Sequence, residues 1–329
     1  MRLVARLAFA LCVMLVTGEL ALQLASLTAR SVSPRGKLGI VRQDAGQGAE
    51  PITILCVGDS HTFGLPLPPE DSYPAQLERA LEERHPGQDF RVVNLGIPGV
   101  NSGFVANRLE RQLMQLRPSL LIVWVGINNR WNVVESRAEV GEGSWPKLRR
   151  GLFRSRLFRL ASIAWYTRTG HQYDPSDYGG WHEGEVAPSG RWADPPPGVD
   201  LAPGLSDDLR RMAETAAALD TPAFFVNYPM RKQRPLNRLI EQAAFEAGVM
   251  LMDSNREFES AVRRGEAIGD LIDLRAGPHP SRRLYGYVVA AALSDVERAV
   301  FRRGRGTGTP SAGVSRAGER AGPASPLTP

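Results

Sequence analysis

Between residues 52 and 301 short apolar runs of strand length alternate with longer segments of helical period, and this alternation constrains the fold more than any other feature of the chain. The strand patterns are Ile52–Val57, Phe90–Asn94, Leu120–Val125, Ala223–Tyr228 and Val249–Asp253; the helical ones are Tyr73–His85, Gly103–Leu116, Ser206–Leu219, Leu236–Ala247 and Arg282–Phe301. Strands that are apolar at nearly every position must be covered on both faces, and a helix between successive strands allows them to run parallel. The reading is a three-layer α/β/α domain around a parallel sheet. In such sheets ligand sites gather at the carboxyl ends of the strands.

One stretch breaks the rhythm. Residues 129–203 hold no clean strand–helix unit, and Asp194-Pro195-Pro196-Pro197-Gly198 marks irregular chain. Trp124 lies in the third strand, while Trp131, Trp145, Trp165, Trp181 and Trp192 all fall within this insertion. So many aromatic rings argue against disorder and for a packed insertion, either an apolar cluster at the sheet edge or a cap over a substrate.

The ends differ from the body. Met1-Arg2 and Arg6 precede an apolar run from Leu7 to Thr17, then Glu19 and a second run to Leu27, which reads as an export segment. Leu27-Thr28-Ala29 is a poor cleavage site, so residues 1–29 are expected to stay as a membrane anchor. The body then lies in the cell envelope, with secretion to the periplasm or outside as the alternative. Residues 30–50 read as a linker, 51–303 as the folded domain, and 304–329, poor in large apolar residues, as a disordered tail.

The net charge of +5 sits at the ends: residues 1–50 carry +3, residues 302–329 carry +4, and the body is slightly acidic at −2. No basic stripe remains to follow phosphates, so no nucleic-acid partner is expected. The only cysteines, Cys12 and Cys56, supply neither a disulfide framework nor a cysteine zinc site. His171 and His182 lie in the insertion without metal-ligand spacing, so no metal is expected; His85 reads as the cation closing a helix.

Chemistry-bearing residues recur at the strand ends. Gly58-Asp59-Ser60-His61-Thr62-Phe63-Gly64 follows the first strand, Asn94 to Ser102 follows the second, and Gly126-Ile127-Asn128-Asn129 follows the third. Gly277-Pro278-His279-Pro280-Ser281 precedes the last helix. Taken singly, each is compatible with ordinary turn chemistry, in which Asp, Ser and Asn bond nearby backbone. Taken in order, a Ser, a Gly, an Asn and a His converge on one sheet edge. This ordered set resembles the SGNH branch of the GDSL hydrolases, over roughly Pro51 to Phe301 apart from the insertion.

The resemblance implies a flavodoxin-like sheet of the SGNH hydrolase fold and a cofactor-free serine esterase. Ser60 would be the nucleophile and His279 the general base, with the Ser60 and Gly99 backbone N–H groups and the Asn128 amide as oxyanion hole. His61 is a rival base, but neighbours on a tight turn point apart. Gly96 and Asn94 would shape the loop, and Asn129 stands where many relatives have Asp. The substrate would be a small-molecule, glycan or lipid ester, hydrolysed through an acyl-enzyme. The same site could instead pass the acyl group to a sugar hydroxyl, as an O-acyltransferase. In a third reading the insertion binds carbohydrate without chemistry.

The last block departs from the family. The position three before His279, usually Asp, is Ala276, and the nearest upstream carboxylate is Asp273. Three arrangements fit: Asp273 orients the imidazole, a backbone carbonyl does so in a Ser–His dyad, or much of the activity is lost. The motifs G-x-S-x-G, G-x-x-x-x-G-K and H-E-x-x-H are all absent.

Overall fold

A computed structural model of the chain describes residues 2–32, 51–129, 132, 152, 155–158, 161, 202, 204–229 and 233–306. Five parallel strands form the sheet: β1 (Ile52–Gly58), β2 (Phe90–Gly96), β3 (Leu120–Trp124), β4 (Ala223–Val226) and β5 (Met250–Met252), in the order β2-β1-β3-β4-β5. The order turns back on itself between β1 and β3, the switch point at which doubly wound sheets open a crevice. β3 and β4 are buried along their whole length, whereas the edge strands β2 and β5 are only partly so. This is why the central strands carry uninterrupted apolar sequence.

Helices cover both faces. α3 (Tyr73–Arg84) packs against α9 (Arg282–Gly306), and α9 also meets α7 (Ser254–Arg263); α4 (Ser102–Leu116) packs against α5 (Leu205–Ala218), which meets α6 (Arg234–Ala247). Leu77 and Leu81 of α3, Leu109 and Leu113 of α4, and Leu209 and Met212 of α5 recur at helical spacing and are buried against the sheet. The expected α/β/α layering is therefore the observed one.

Sequence patterning missed the short elements. α2 (Ser60–Phe63), a single turn following β1, and α8 (Ile268–Leu271) are too short for a period to register, as is the two-stranded antiparallel pair β6 (Ile272–Asp273) and β7 (His279–Pro280). α7 follows β5 at once, opened by Asp253, whose side chain accepts from the Arg256 N–H.

The ends need correction. α9 runs to Gly306, past the start assigned to the disordered tail, and α1 spans Arg2–Val32, past the start assigned to the linker. No helix among the described residues is long and apolar enough to cross a membrane, so the expected spanning anchor is not found. Physically, α1 carries a carboxylate in mid-course that protein donors engage. Glu19 accepts from the backbone N–H groups of Arg156 and Leu157, each at 3.0 Å, and from Ser155 Oγ at 2.8 Å. These backbone bonds, ahead of the side-chain ones, lower its pKa to about 2. Residues 133–151 and 162–201, with the histidines at 171 and 182 and four of the insertion's tryptophans, lie outside the described residues, as do Trp131 and 307–329.

Candidate active site

The site begins where β1 ends. Asp59 caps α2 by accepting from the His61 N–H at 2.9 Å, and Ser60 takes the first helical position. This turn lies directly over β2: a Cβ on Gly96 would stand 2.2 Å from Phe63 N. Only glycine allows the Ser60 turn to sit so low on the sheet.

His279 arrives from the far end of the chain on β7. Its Nε2 lies 2.8 Å from Ser60 Oγ, and its Nδ1 lies 2.9 Å from the Gly277 carbonyl oxygen. A carbonyl only accepts, so Nδ1 carries the proton and Nε2 turns its lone pair to the serine hydroxyl. Gly277 adopts φ +86°, a left-handed conformation that aims its carbonyl back at the ring. Both Ser60 and His279 are buried, at 8% and 7% exposure. Burial, and next the neighbouring His61, lower the His279 pKa to about 4, against the raising influence of Gly277, Asp59 and Asp273.

Asp273 does not orient this ring. It faces His279 across the β6–β7 ladder, yet both its carboxylate oxygens are held by Arg275, with Nη2 bound to Oδ2 at 2.6 Å. Those bonds to Arg275 hold its pKa below the usual carboxylate value. Of the three arrangements that fit the sequence, the geometry is that of the backbone carbonyl. The reason is local: the Arg275 N–H and guanidinium lie two residues away and fold the carboxylate back on its own turn.

The remaining predicted residues line the same edge. The Ser60 and Gly99 backbone N–H groups make no hydrogen bond within the described protein. Asn128, 8% exposed, donates from Nδ2 to Val100 O at 2.9 Å, and Asn132 Nδ2 donates to Gly99 O at 2.8 Å, so the loop after β3 holds the loop after β2 in place. Asn129 is deeper. Its Oδ1 accepts from Ser102 N at 3.0 Å, its Nδ2 donates to Ser102 Oγ at 2.6 Å, and Ser102 Oγ donates to Asp208 Oδ2 at 2.6 Å. The structure thus brings Ser60, Gly99, Asn128 and His279 to one edge and leaves Asp273 engaged elsewhere. Asn94 and Gly96, expected to shape a loop, are instead the last positions of β2, where Gly96 N donates to Asn94 Oδ1 at 2.9 Å. His85, closing α3, bonds Glu297 at 2.8 Å.

Two residues at the site escaped the sequence reading. Tyr228, just past β4, donates from its hydroxyl to Asp59 Oδ2 at 2.6 Å. Burial first, and then the Asp59 charge, push this phenol well above its ordinary pKa, so it remains a donor. Tyr285 on α9 donates to the His61 carbonyl at 2.7 Å. His61 does not meet the serine hydroxyl: Ser60 Oγ bonds His279, while the His61 ring lies against the His279 ring with centroids 4.7 Å apart. The one available signal was position, since a tyrosine at the carboxyl end of a parallel strand stands where sites form. Among the described residues no group of three or more His, Cys, Asp or Glu is placed to hold a metal ion.

The sequence pattern of the GDSL-like Lipase/Acylhydrolase family matches residues 56–286. An arylesterase of Vibrio mimicus is 38% identical over 85 residues, 26% of this chain and 40% of that protein. Esterase TesA of Pseudomonas aeruginosa is 35% identical over 83 residues, 25% of this chain and 40% of that protein. The matched segments therefore span about 40% of the length of these curated relatives. A crystal structure of TesA aligns over 75% of this chain and 99% of its own at 18% identity, with a TM-score of 0.45.

Proposed function

The chain belongs to the GDSL-like lipase/acylhydrolase family, and from that premise we propose that it hydrolyses carboxylic esters of small molecules through an acyl-enzyme on Ser60. The observation that carries the reading is the 2.8 Å contact between Ser60 Oγ and His279 Nε2, together with the Nδ1 bond to Gly277 O that selects the productive tautomer. As Oγ attacks the ester carbonyl, its proton passes to Nε2. The developing oxyanion faces the Ser60 and Gly99 N–H groups, with the Asn128 amide as third donor by likeness to the family. His279 then hands the proton to the departing alkoxide, which leaves as the alcohol. In the second half it takes a proton from water, whose oxygen attacks the acyl carbon; Ser60 recovers the proton and the acid is released. A glycine at 99 lets the backbone approach the substrate without an intervening Cβ.

The test is hydrolysis of p-nitrophenyl acetate and butyrate by the full chain, alongside Ser60→Ala and His279→Ala. Each variant is expected to lose about 10⁴-fold or more in kcat while keeping its melting transition. A wild-type rate no higher than that of Ser60→Ala on both esters overturns the reading.

A further inference from the structure

The base lacks the carboxylate that normally accompanies it. Position 276 is Ala, and Asp273 is tied to Arg275, so Nδ1 of the His279 ring meets a neutral carbonyl. A carbonyl fixes orientation, but it stabilises the imidazolium formed in the transition state less than a carboxylate does. Another carboxylate lies behind the imidazole that packs against this ring. Asp59 is fully buried, with no Lys or Arg among the described residues as its ion-pair partner, and it accepts from His61 N at 2.9 Å and Tyr228 Oη at 2.6 Å. His61 Nδ1 lies 3.3 Å from Asp59 Oδ1, and the same imidazole rests on the His279 ring at 4.7 Å with planes 32° apart. His61 Nε2 is buried without a hydrogen-bond partner, so the tautomer that fits has its proton on Nδ1, toward Asp59. Trp124 and Tyr228 enclose His61 from the sheet side, with ring centroids 5.5 and 4.8 Å away.

We propose that two groups divide the work of the missing triad carboxylate: the Gly277 carbonyl orients His279, and Asp59, a positioning residue set behind His61, supplies across that imidazole the negative charge that stabilises the protonated form of His279. This deepens the esterase reading and rests on it. Among the described residues, the titratable and charged groups around His279 are His61 and Asp59 on the β1–α2 turn, Asp273 and Arg275 at β6 and the turn after it, Tyr228 past β4 and Tyr285 on α9. Of these only Asp59 is a wholly buried carboxylate. Desolvation makes its charge count for more at the ring than that of an exposed group.

The experiment follows the His279 Cε1–H signal by NMR across pH in the full chain, assigned by its loss in His279→Ala. Asp59→Asn keeps the shape of the cap and removes the charge. It is expected to move the His279 midpoint about one unit or more to lower pH and to cut kcat about 10- to 100-fold with KM within about threefold. His61→Phe keeps the ring, removes a competing proton acceptor and leaves the Asp59 charge less screened; the midpoint is expected to move to higher pH. Opposite shifts support the proposal. A midpoint unmoved by Asp59→Asn, whatever His61→Phe does, overturns it and leaves Asp59 as a helix cap; where Asp59→Asn does not fold, a midpoint unmoved by His61→Phe overturns it. The titration needs no turnover, so failure of the esterase reading would show separately, as equal rates for wild type and Ser60→Ala.

Discussion

At the scale of single residues the site depends on which atom of His279 meets which partner. Because Nδ1 is satisfied by Gly277 O, Asp273→Asn removes no hydrogen bond from the ring. Its kcat/KM for p-nitrophenyl acetate is expected to stay within about threefold of wild type, where loss of a true triad carboxylate would cost about 10⁴-fold. A general base must be neutral to act, and burial lowers the His279 pKa to about 4. The kcat/KM profile is therefore expected to stay level from neutral pH downward and to fall only as pH drops through about 4; an inflection near 6.5 would contradict this. The sign for stability follows from the same numbers. Between 6.5 and about 4 the unfolded imidazole holds more protons than the folded one, so His279 favours unfolding progressively as pH falls through that window.

At the scale of elements, the site is a set of loops held to one another by side-chain amides. Asn129 both accepts from Ser102 N and donates to Ser102 Oγ, which frees that hydroxyl's only proton for Asp208. An aspartate at 129 can accept but not donate, and it would set two carboxylates on one hydroxyl. Asn129→Asp is expected to destabilise the fold by about 1–3 kcal/mol, measured as a lowered urea midpoint, and to impair the Asn128 loop it supports. Gly96→Ala tests the seat of α2. A Cβ 2.2 Å from backbone nitrogen must push the Ser60 turn off β2, so activity is expected to fall further than stability, read by comparing kcat with the thermal midpoint.

Across the whole molecule, the sheet order places the Ser60, Gly99 and Asn128 loops at the β1–β3 switch point, and α9 closes the far side with Tyr285 on the α2 backbone. The core runs through the sheet without a break, from Ile54 and Leu55 in β1 to Phe225 in β4 and Val288 and Val296 in α9. Cys56 lies inside it, fully buried, and burial pushes its thiol up to about 12. Alkylation of Cys56 is thus expected only on global unfolding, its rate rising with urea in parallel with loss of the far-UV signal; peptide mass spectrometry separates it from Cys12. Rapid labelling in native buffer would show that β1 opens locally.

What the sequence determined by itself is short-range in character. The alternation of apolar strands with amphipathic helices dictated a covered parallel sheet, because burial on both faces requires an unbroken apolar strand. The Gly-Asp-Ser turn, the Asn128 turn and His279 were legible as a set because each follows a strand or precedes a helix in chain order. Only the tertiary structure decided how His279 is held. From the residues alone Asp273 and a backbone carbonyl were both open, and the choice turned on Arg275 folding back onto Asp273 and on the left-handed Gly277, within strands of two residues that carry no periodic signal. Tyr228, 169 positions along the chain from Asp59, reaches that carboxylate because β4 pairs with β3 and β3 with β1. Contacts of that kind arise from sheet order and side-chain direction, neither of which a local pattern of residues encodes.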